Sequence, residues 1–244
     1  MDQFVQLGGQ RMRIAIFSDI HANLPALEAS LERAAAMRVD EIYCLGDIVG
    51  YGGNPNECVD LVRDNSSWCV AGNHDRAAVE PRKASTFSES AREVAEWTNE
   101  TLTPANRKFL QSLPLSVEIG PCTLVHASPV KPSRWHYVKT LEDAENQLKA
   151  FDTVLCFIGH THVPVAVAED FETTVFRKDM RYLINVGSVG QSRDGNPDLS
   201  FGFLDTDAWY YETVRVPYNI EVAADAIKFH GLPSIFAERL YVGI

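Results

Sequence analysis

An α/β fold with two packed sheets and helices outside them is what this sequence predicts. Three observations carry that expectation. Apolar runs and helical periodicities alternate strand, helix, strand, helix, strand through the first third, the pattern of parallel βαβ units with right-handed crossovers. The last third alternates short strand-like runs with turns and reads as a mostly antiparallel sheet. Polar side chains able to bind metals follow the apolar runs at their carboxyl ends, the edge where open α/β sheets take ligands. The 244 residues are 45% apolar, enough for a sizeable core. No internal repeat, low-complexity segment or linker divides them, so residues 1–244 read as a single domain.

The elements follow in order. Arg13 to Phe17 is a buried strand ending at Ser18-Asp19. Asn23-Leu24-Pro25 opens a helix, with Asn as N-cap and Pro in the first turn; Leu27, Leu31 and Ala34 carry it to Met37. Glu41 to Leu45 is a strand ending at Gly46-Asp47, and Pro55 begins a helix with Cys58, Val59 and Val62 on one face. Trp68 to Ala71 is a third strand, ending at Gly72-Asn73-His74. Helices are expected over Ser88 to Leu102, from Thr103-Pro104 to Ser112, over Leu141 to Phe151 and over Ile220 to Phe229. Leu115 to Ile119 and Thr123 to His126 flank a Gly120-Pro121 turn, and Val154 to Ile158 ends at Gly159-His160. The closing strands are Val163 to Ala168, Thr173 to Phe176, Tyr182 to Val186, Phe201 to Asp205 and Trp209 to Val216.

Charge and cysteine narrow the function. Lys and Arg number 22 against 33 Asp and Glu, a formal charge of −11, so no extended nucleic-acid surface is expected. Five cysteines, an odd number without a C-x-x-C, read as reduced thiols. Met1 to Gln10 lacks the apolar stretch of a signal peptide, and the longest apolar run, Val154 to Ile158, is too short to span a bilayer. A cytoplasmic protein is expected.

Five of the seven histidines fall in one ordered series: Asp19-x-His21, Gly46-Asp47, Gly72-Asn73-His74-Asp75, Val125-His126-Ala127 and Gly159-His160-Thr161-His162. No cysteine belongs to it. Imidazole, carboxylate and amide oxygen suit Mn, Fe, Zn or Ni, and the number of groups allows two ions with one carboxylate shared. Asp47, after a glycine that allows close backbone approach, is the candidate bridge. Asp19 and His21 stand two apart, as do His160 and His162, and are expected to share a strand face. Two ions about 3.5–4 Å apart are the usual apparatus for displacement at phosphorus.

The series resembles the calcineurin-like metallophosphoesterase superfamily, whose pattern is Asp-x-His, Gly-Asp, Gly-Asn-His-Asp/Glu, His and Gly-His-x-His. The likeness continues through Asn185 to Gly190 and is nearest to the small bacterial and archaeal phosphodiesterases, which share Asp-Ile-His-Ala-Asn. It implies a four-layer αββα sandwich with two mixed β-sheets flanked by helices. It also implies two divalent metal ions, with Mn favoured for activity. Asp19, His21, Asp47 and His162 would hold the first ion; Asp47, Asn73, His126 and His160 would hold the second. His74 would be the catalytic histidine, with Asp75 orienting a neighbour. The implied reaction is in-line attack on a small phosphodiester or phosphomonoester by a hydroxide bridging the ions, His74 assisting the leaving group.

Protein phosphatases of the superfamily read Gly-Asp-x-Val-Asp-Arg-Gly. Here Gly50 and Tyr51 stand where they carry the Asp that pairs with the histidine and the Arg that grips phosphate. That departure leaves the orientation of His74 open. Tyr51, Arg134, Trp135, His136 and Arg193 are candidate substrate walls. The expected partner is a small phosphate ester, nucleotides included; an oligomer is compatible with the sequence, and a membrane is not involved. Two alternatives stand beside it: a dinucleoside polyphosphate or phosphoprotein hydrolase, and a non-catalytic protein-interaction scaffold.

Overall fold

The computed structural model describes residues 12–244; the reading of Met1 to Gln10 lies outside the described residues. Period-two alternation in the first strand sets up the layers. In β1 (Arg13–Phe17), Ile14 and Ile16 point to one side and Ala15 and Phe17 to the other. The two isoleucines pack with Tyr43 and Leu45 against Leu124, Phe157 and Ile184 of a second sheet. Ala15 and Phe17 pack with Leu27, Val59, Val62 and Leu110 of helices. Both faces of β1 are therefore buried, as a central parallel strand requires.

The first sheet has the order β10-β9-β1-β2-β3. Here β2 is Glu41–Cys44, β3 Trp68–Cys69, β9 Leu199–Asp205 and β10 Tyr210–Val216. Strands β1, β2 and β3 run parallel, joined by α1 (Leu24–Ala36) and α2 (Pro55–Asn65). The second sheet has the order β4-β5-β6-β8-β7, with β4 Ser116–Ile119, β5 Cys122–Val125, β6 Leu155–Ile158, β7 Val165–Ala168 and β8 Tyr182–Asn185. Its central strands β5, β6 and β8 are parallel and its edges antiparallel. Outside it, α6 (Leu141–Leu148) packs Ala144 and Leu148 on Cys156, Ile158 and Leu183. Two mixed five-stranded sheets between helices are the αββα sandwich expected.

Helix starts are as the sequence signals. Asn23 Oδ1 accepts from Ala26 N at 3.2 Å, Ser88 caps α4 (Glu89–Thr101), and Thr103 caps α5 (Pro104–Ser112). Thr140 and Asp143 form a capping box on α6. Two helices were not foreseen among the sequence elements: α3 (Asn73–Val79) starts on the metal motif itself, and α8 (Ser234–Val242) follows α7 (Ile220–Phe229).

The last third corrects two expectations. Thr173 to Phe176 is not a strand. Asp170 accepts the backbone N–H groups of Glu172 and Thr173, and the Tyr182 hydroxyl takes Arg177 N while donating to Val175 O, so side chains occupy the groups a ladder would need. Nor do the late strands form one antiparallel sheet. β7 and β8 join the second sheet, where β8 runs parallel to β6; β9 and β10 join the first, where β9 pairs antiparallel with β1. All five cysteines are free, as expected. No helix among the described residues is long and apolar enough to cross a membrane.

Candidate metal centre

Each polar motif sits just past a strand of the two parallel sets. Asp19 and His21 follow β1, Asp47 follows β2, Asn73 and His74 follow β3, His126 follows β5, and His160 and His162 follow β6. The sheets lie face to face with these ends at one rim, and the side chains meet there, all buried. Three clusters result: Asp19 with His21 and His162, Asp47 with His126 and His160, and His21 with Asp47 and His74.

The i, i+2 pairs do not meet by sharing a strand face. Asp19, His21, Asp47, His160 and His162 all have left-handed backbones, with φ between 50° and 66°. They stand on tight loops beyond the strand ends. Non-glycine residues held in this region cost free energy that the surrounding structure must offset, and they concentrate at functional sites.

Each carboxylate divides its oxygens between scaffold and cage. Asp19 Oδ2 accepts from Ser18 Oγ at 2.7 Å and His160 N at 2.9 Å. Its Oδ1 faces His162 Nε2 at 3.2 Å and His21 Nε2 at 3.7 Å, without a hydrogen bond. Asp47 Oδ1 accepts from His74 N at 2.8 Å. Its Oδ2 lies 3.2 Å from His126 Nε2 and 3.9 Å from His21 Nε2, between the clusters. Donors bound to one ion at about 2.1 Å stand about 3.0–3.4 Å apart, so the two 3.2 Å spacings, Asp19 to His162 and Asp47 to His126, suit ligands of shared cations.

Backbone carbonyls fix the imidazole tautomers. His21 Nδ1 donates to Val49 O at 3.2 Å, His126 Nδ1 to Leu45 O at 3.0 Å, and His162 Nδ1 to Gln191 O. In the neutral rings each Nε2 is then a bare lone pair. His21 Nε2 faces His162 Nε2 at 3.1 Å, and His126 Nε2 faces His160 Nδ1 at 3.2 Å. Asn73 Oδ1, also buried, has no partner. Opposed lone pairs and orphaned oxygens in a buried cage are unfavourable alone and fit divalent cations. With no cysteine among them, the donors suit Mn, Fe, Zn or Ni.

The electrostatics agree. Burial would raise the Asp47 pKa, but the facing His126 and His74 hold it below the usual carboxylate range. Asp19 is lowered likewise by His162 and His126 against burial. Burial pushes His74 and His160 down to about 3 and His162 to about 4. His126 is pushed up to about 9: burial opposes the charge, but Asp47 and Asp19 outweigh it.

His74 lies against the cage, grouped with His21 and Asp47 but with its ring hydrogen-bonded to no carboxylate. Its ring packs on Tyr51 at 4.5 Å, Phe87 at 4.6 Å and His21 at 5.0 Å between centroids. Gly50, at φ +98°, makes room for it: a Cβ there would stand 2.5 Å from His74 Nδ1. Aromatic packing and the Gly50 gap thus hold the ring in place. Asp75 belongs to none of the three clusters and accepts Gly72 N at 2.9 Å, Ile48 N at 2.9 Å and Val49 N at 3.2 Å. It ties the Asp47 loop to the start of α3.

Of the candidate walls, Tyr51 packs tilted beside His21 with centroids 4.4 Å apart, and the Trp135 ring centroid lies 5.9 Å from that of His126. Arg193 lies over Tyr51, its guanidinium carbon 5.6 Å from the ring centroid. Arg134 and His136 are exposed. Sequence reasoning missed Tyr137, which stacks on His160 at 4.1 Å, and Phe87; neither carries a sequence signal beyond being aromatic.

A sandwich whose strand ends gather Asp, Asn and His in this order defines a metallophosphoesterase. The chain belongs to the calcineurin-like phosphoesterase superfamily: the model of that superfamily domain matches residues 12–208. It is 38% identical over 240 residues to an uncharacterised protein of Methanocaldococcus jannaschii, covering 94% of this chain and 98% of that one. The crystal structure of a metallophosphoesterase from Sphaerobacter thermophilus superposes with TM-score 0.87 at 41% identity, covering 96% of this chain and all of that one. A hypothetical protein from Pyrococcus horikoshii shares the fold, with TM-score 0.80 at 20% identity over 95% of this chain and 98% of that one.

Proposed function

We propose that this chain, acting as one domain, is a dimetal phosphoesterase of the cytosol that hydrolyses a small phosphomonoester or phosphodiester. The carrying observation is the pairing of lone pairs across the cage, His21 Nε2 on His162 Nε2, with the carboxylate oxygens Asp19 Oδ1 and Asp47 Oδ2 facing the same imidazoles. Asp19, His21, Asp47 and His162 hold one ion; Asp47, Asn73, His126 and His160 hold the other. Two divalent ions would neutralise phosphoryl oxygens and supply a nucleophile at neutral pH, with Mn the metal for assay.

The chain's own groups do the rest. The three carbonyls hold the imidazoles in their ligand tautomer. His74, clamped by Tyr51 and Phe87, stands beside the cage to donate a hydrogen bond to the phosphoryl or leaving oxygen. Asp75 positions both segments that flank Asp47 Oδ1. The five free cysteines fit a reducing compartment.

The test is elemental analysis of purified protein with a Mn²⁺-dependent assay on an aryl phosphomonoester and an aryl diester. Two ions per chain with hydrolysis of either ester is expected. A metal-loaded protein that cleaves neither would overturn the enzyme reading and leave a scaffold.

A further inference from the structure

An open cavity of about 390 Å³ adjoins the cage, lined in part by Tyr137, Lys139, Thr161 and Arg193. In a chain of net charge −11, its lining holds two cations and no carboxylate. Arg193 is tied to the cage through its backbone. Its N–H donates to His162 O at 3.3 Å, and the preceding turn is pinned by Gln191 N to Ser188 Oγ and by Ser188 Oγ to Asp19 O.

The guanidinium itself is not spent on an ion pair among the described residues. It donates to Gln191 Oε1 at 3.0 Å and lies over the Tyr51 ring. Tyr137 lines the same cavity wall. Tyr51 packs on His21 and His74, and Tyr137 packs on His160. Arg193 thus lies over Tyr51 and shares the cavity wall with Tyr137, half-buried and in no ion pair among the described residues.

Resting on the phosphoesterase reading, we propose that Arg193 is the phosphate clamp of this site and selects dianionic phosphomonoesters over monoanionic diesters. A planar guanidinium offers a fork of donors to phosphate oxygens. A monoester brings three terminal oxygens and a charge near −2, a diester two and −1, so a donor beyond the ion cage discriminates between them. Lys139, its ammonium 4.4 Å above the Tyr137 ring, extends the positive wall of the cavity.

The test compares wild type, Arg193→Gln and Arg193→Lys, all loaded with Mn²⁺ and checked for metal content and melting temperature. Calorimetry measures binding of inorganic phosphate; kinetics measure an aryl monoester and an aryl diester. In Arg193→Gln, phosphate affinity and monoester kcat/KM each fall about 10–100-fold, the range of a charge-assisted hydrogen bond, while diester kcat/KM falls about 3-fold or less. Arg193→Lys recovers part of the loss. Equal losses on the two esters, or phosphate affinity within about 3-fold of wild type, overturn the clamp. Should the wild type cleave neither ester, the phosphoesterase reading fails, and phosphate calorimetry still decides whether Arg193 binds the anion.

Discussion

His21 Nε2 and His162 Nε2 face each other at 3.1 Å, although 141 positions separate the residues. Each ring spends its other nitrogen on a backbone carbonyl, so the neutral pair presents two lone pairs to one another. That contact is repulsive until a cation joins it. Metal binding and folding are therefore linked. Stripping the protein with a chelator is expected to lower its melting temperature by about 5–10 °C, the effect of losing a ligand held near 100 times its Kd in a domain of this size. Re-addition of Mn²⁺ should restore it. Identical melting curves with and without chelator would remove the ions from the folded cage.

His74→Ala should cost turnover and leave the ions in place. The ring is absent from the clusters Asp19–His21–His162 and Asp47–His126–His160 and joins only the third, with His21 and Asp47, while its backbone N–H holds Asp47 Oδ1 whatever the side chain. Loss of a positioned hydrogen-bond donor typically costs about 10²–10⁴-fold in rate. The pair of measurements is kcat and metal content per chain. Retained activity would transfer the role of acid to another group.

Gly50→Ala tests how that histidine is held. The glycine has φ +98° and its missing Cβ is the space His74 Nδ1 occupies. An alanine there costs roughly 1 kcal/mol in backbone strain and pushes the ring off the Tyr51–Phe87 clamp. Activity should fall toward that of His74→Ala with both ions retained and only a few degrees lost in melting temperature. A fully active Gly50→Ala protein would mean that the ring is held elsewhere.

Much of this site was legible because its chemistry is tied to strand ends. Asp19, Asp47, Asn73, His126 and His160 each follow an apolar run that could be recognised, and parallel connection brings such ends to one rim. What was not legible depends on tertiary contact. The left-handed backbones of His21 and His162 follow from how the two sheets meet, and nothing in Asp-x-His or His-x-His announces them. The division of the late strands between sheets is equally silent, because β8 and β9 are both apolar throughout enough of their length to serve either core. Thr173 to Phe176 had strand composition, but Asp170 and Tyr182 took its backbone groups. Tyr137 lies exposed in a loop and joins the site only by stacking on His160.

Asp75 is expected to be structural in its effect. Its carboxylate receives three backbone N–H groups and lies fully buried, with a pKa raised to about 6 by burial and by Asp47, against the pull of the Gly72 and Val49 N–H groups. Asp75→Ala would leave those donors unsatisfied. The loss is about 3 kcal/mol in unfolding free energy, read by denaturant titration of the metal-loaded protein. Asp75→Asn keeps one acceptor and should lose less. A stability change under about 0.5 kcal/mol for Asp75→Ala, the range of an ordinary surface substitution, would show that these bonds do not hold the loop.

The raised proton affinity of His126 gives the metal-free protein a distinct pH dependence. Burial disfavours its charge, but Asp47 and Asp19 overcome that and set its pKa at about 9. An unfolded histidine titrates near about 6.5. Between these values the folded chain keeps a proton that the unfolded chain has lost. The stabilisation is complete below about pH 6.5 and disappears as pH rises through 9. His74, His160 and His162 are shifted the other way and act only below that window. A metal ion replaces the His126 proton, so the loaded protein has nothing to lose there. Chelated protein should therefore drop in melting temperature from pH 6.5 to 9 more steeply than loaded protein. Mn²⁺ titrations near pH 7.5, run in buffers of different ionisation enthalpy, should release roughly one proton from this group. Parallel melting profiles would mean that His126 holds no such proton, and that the carboxylates are balanced by another charge.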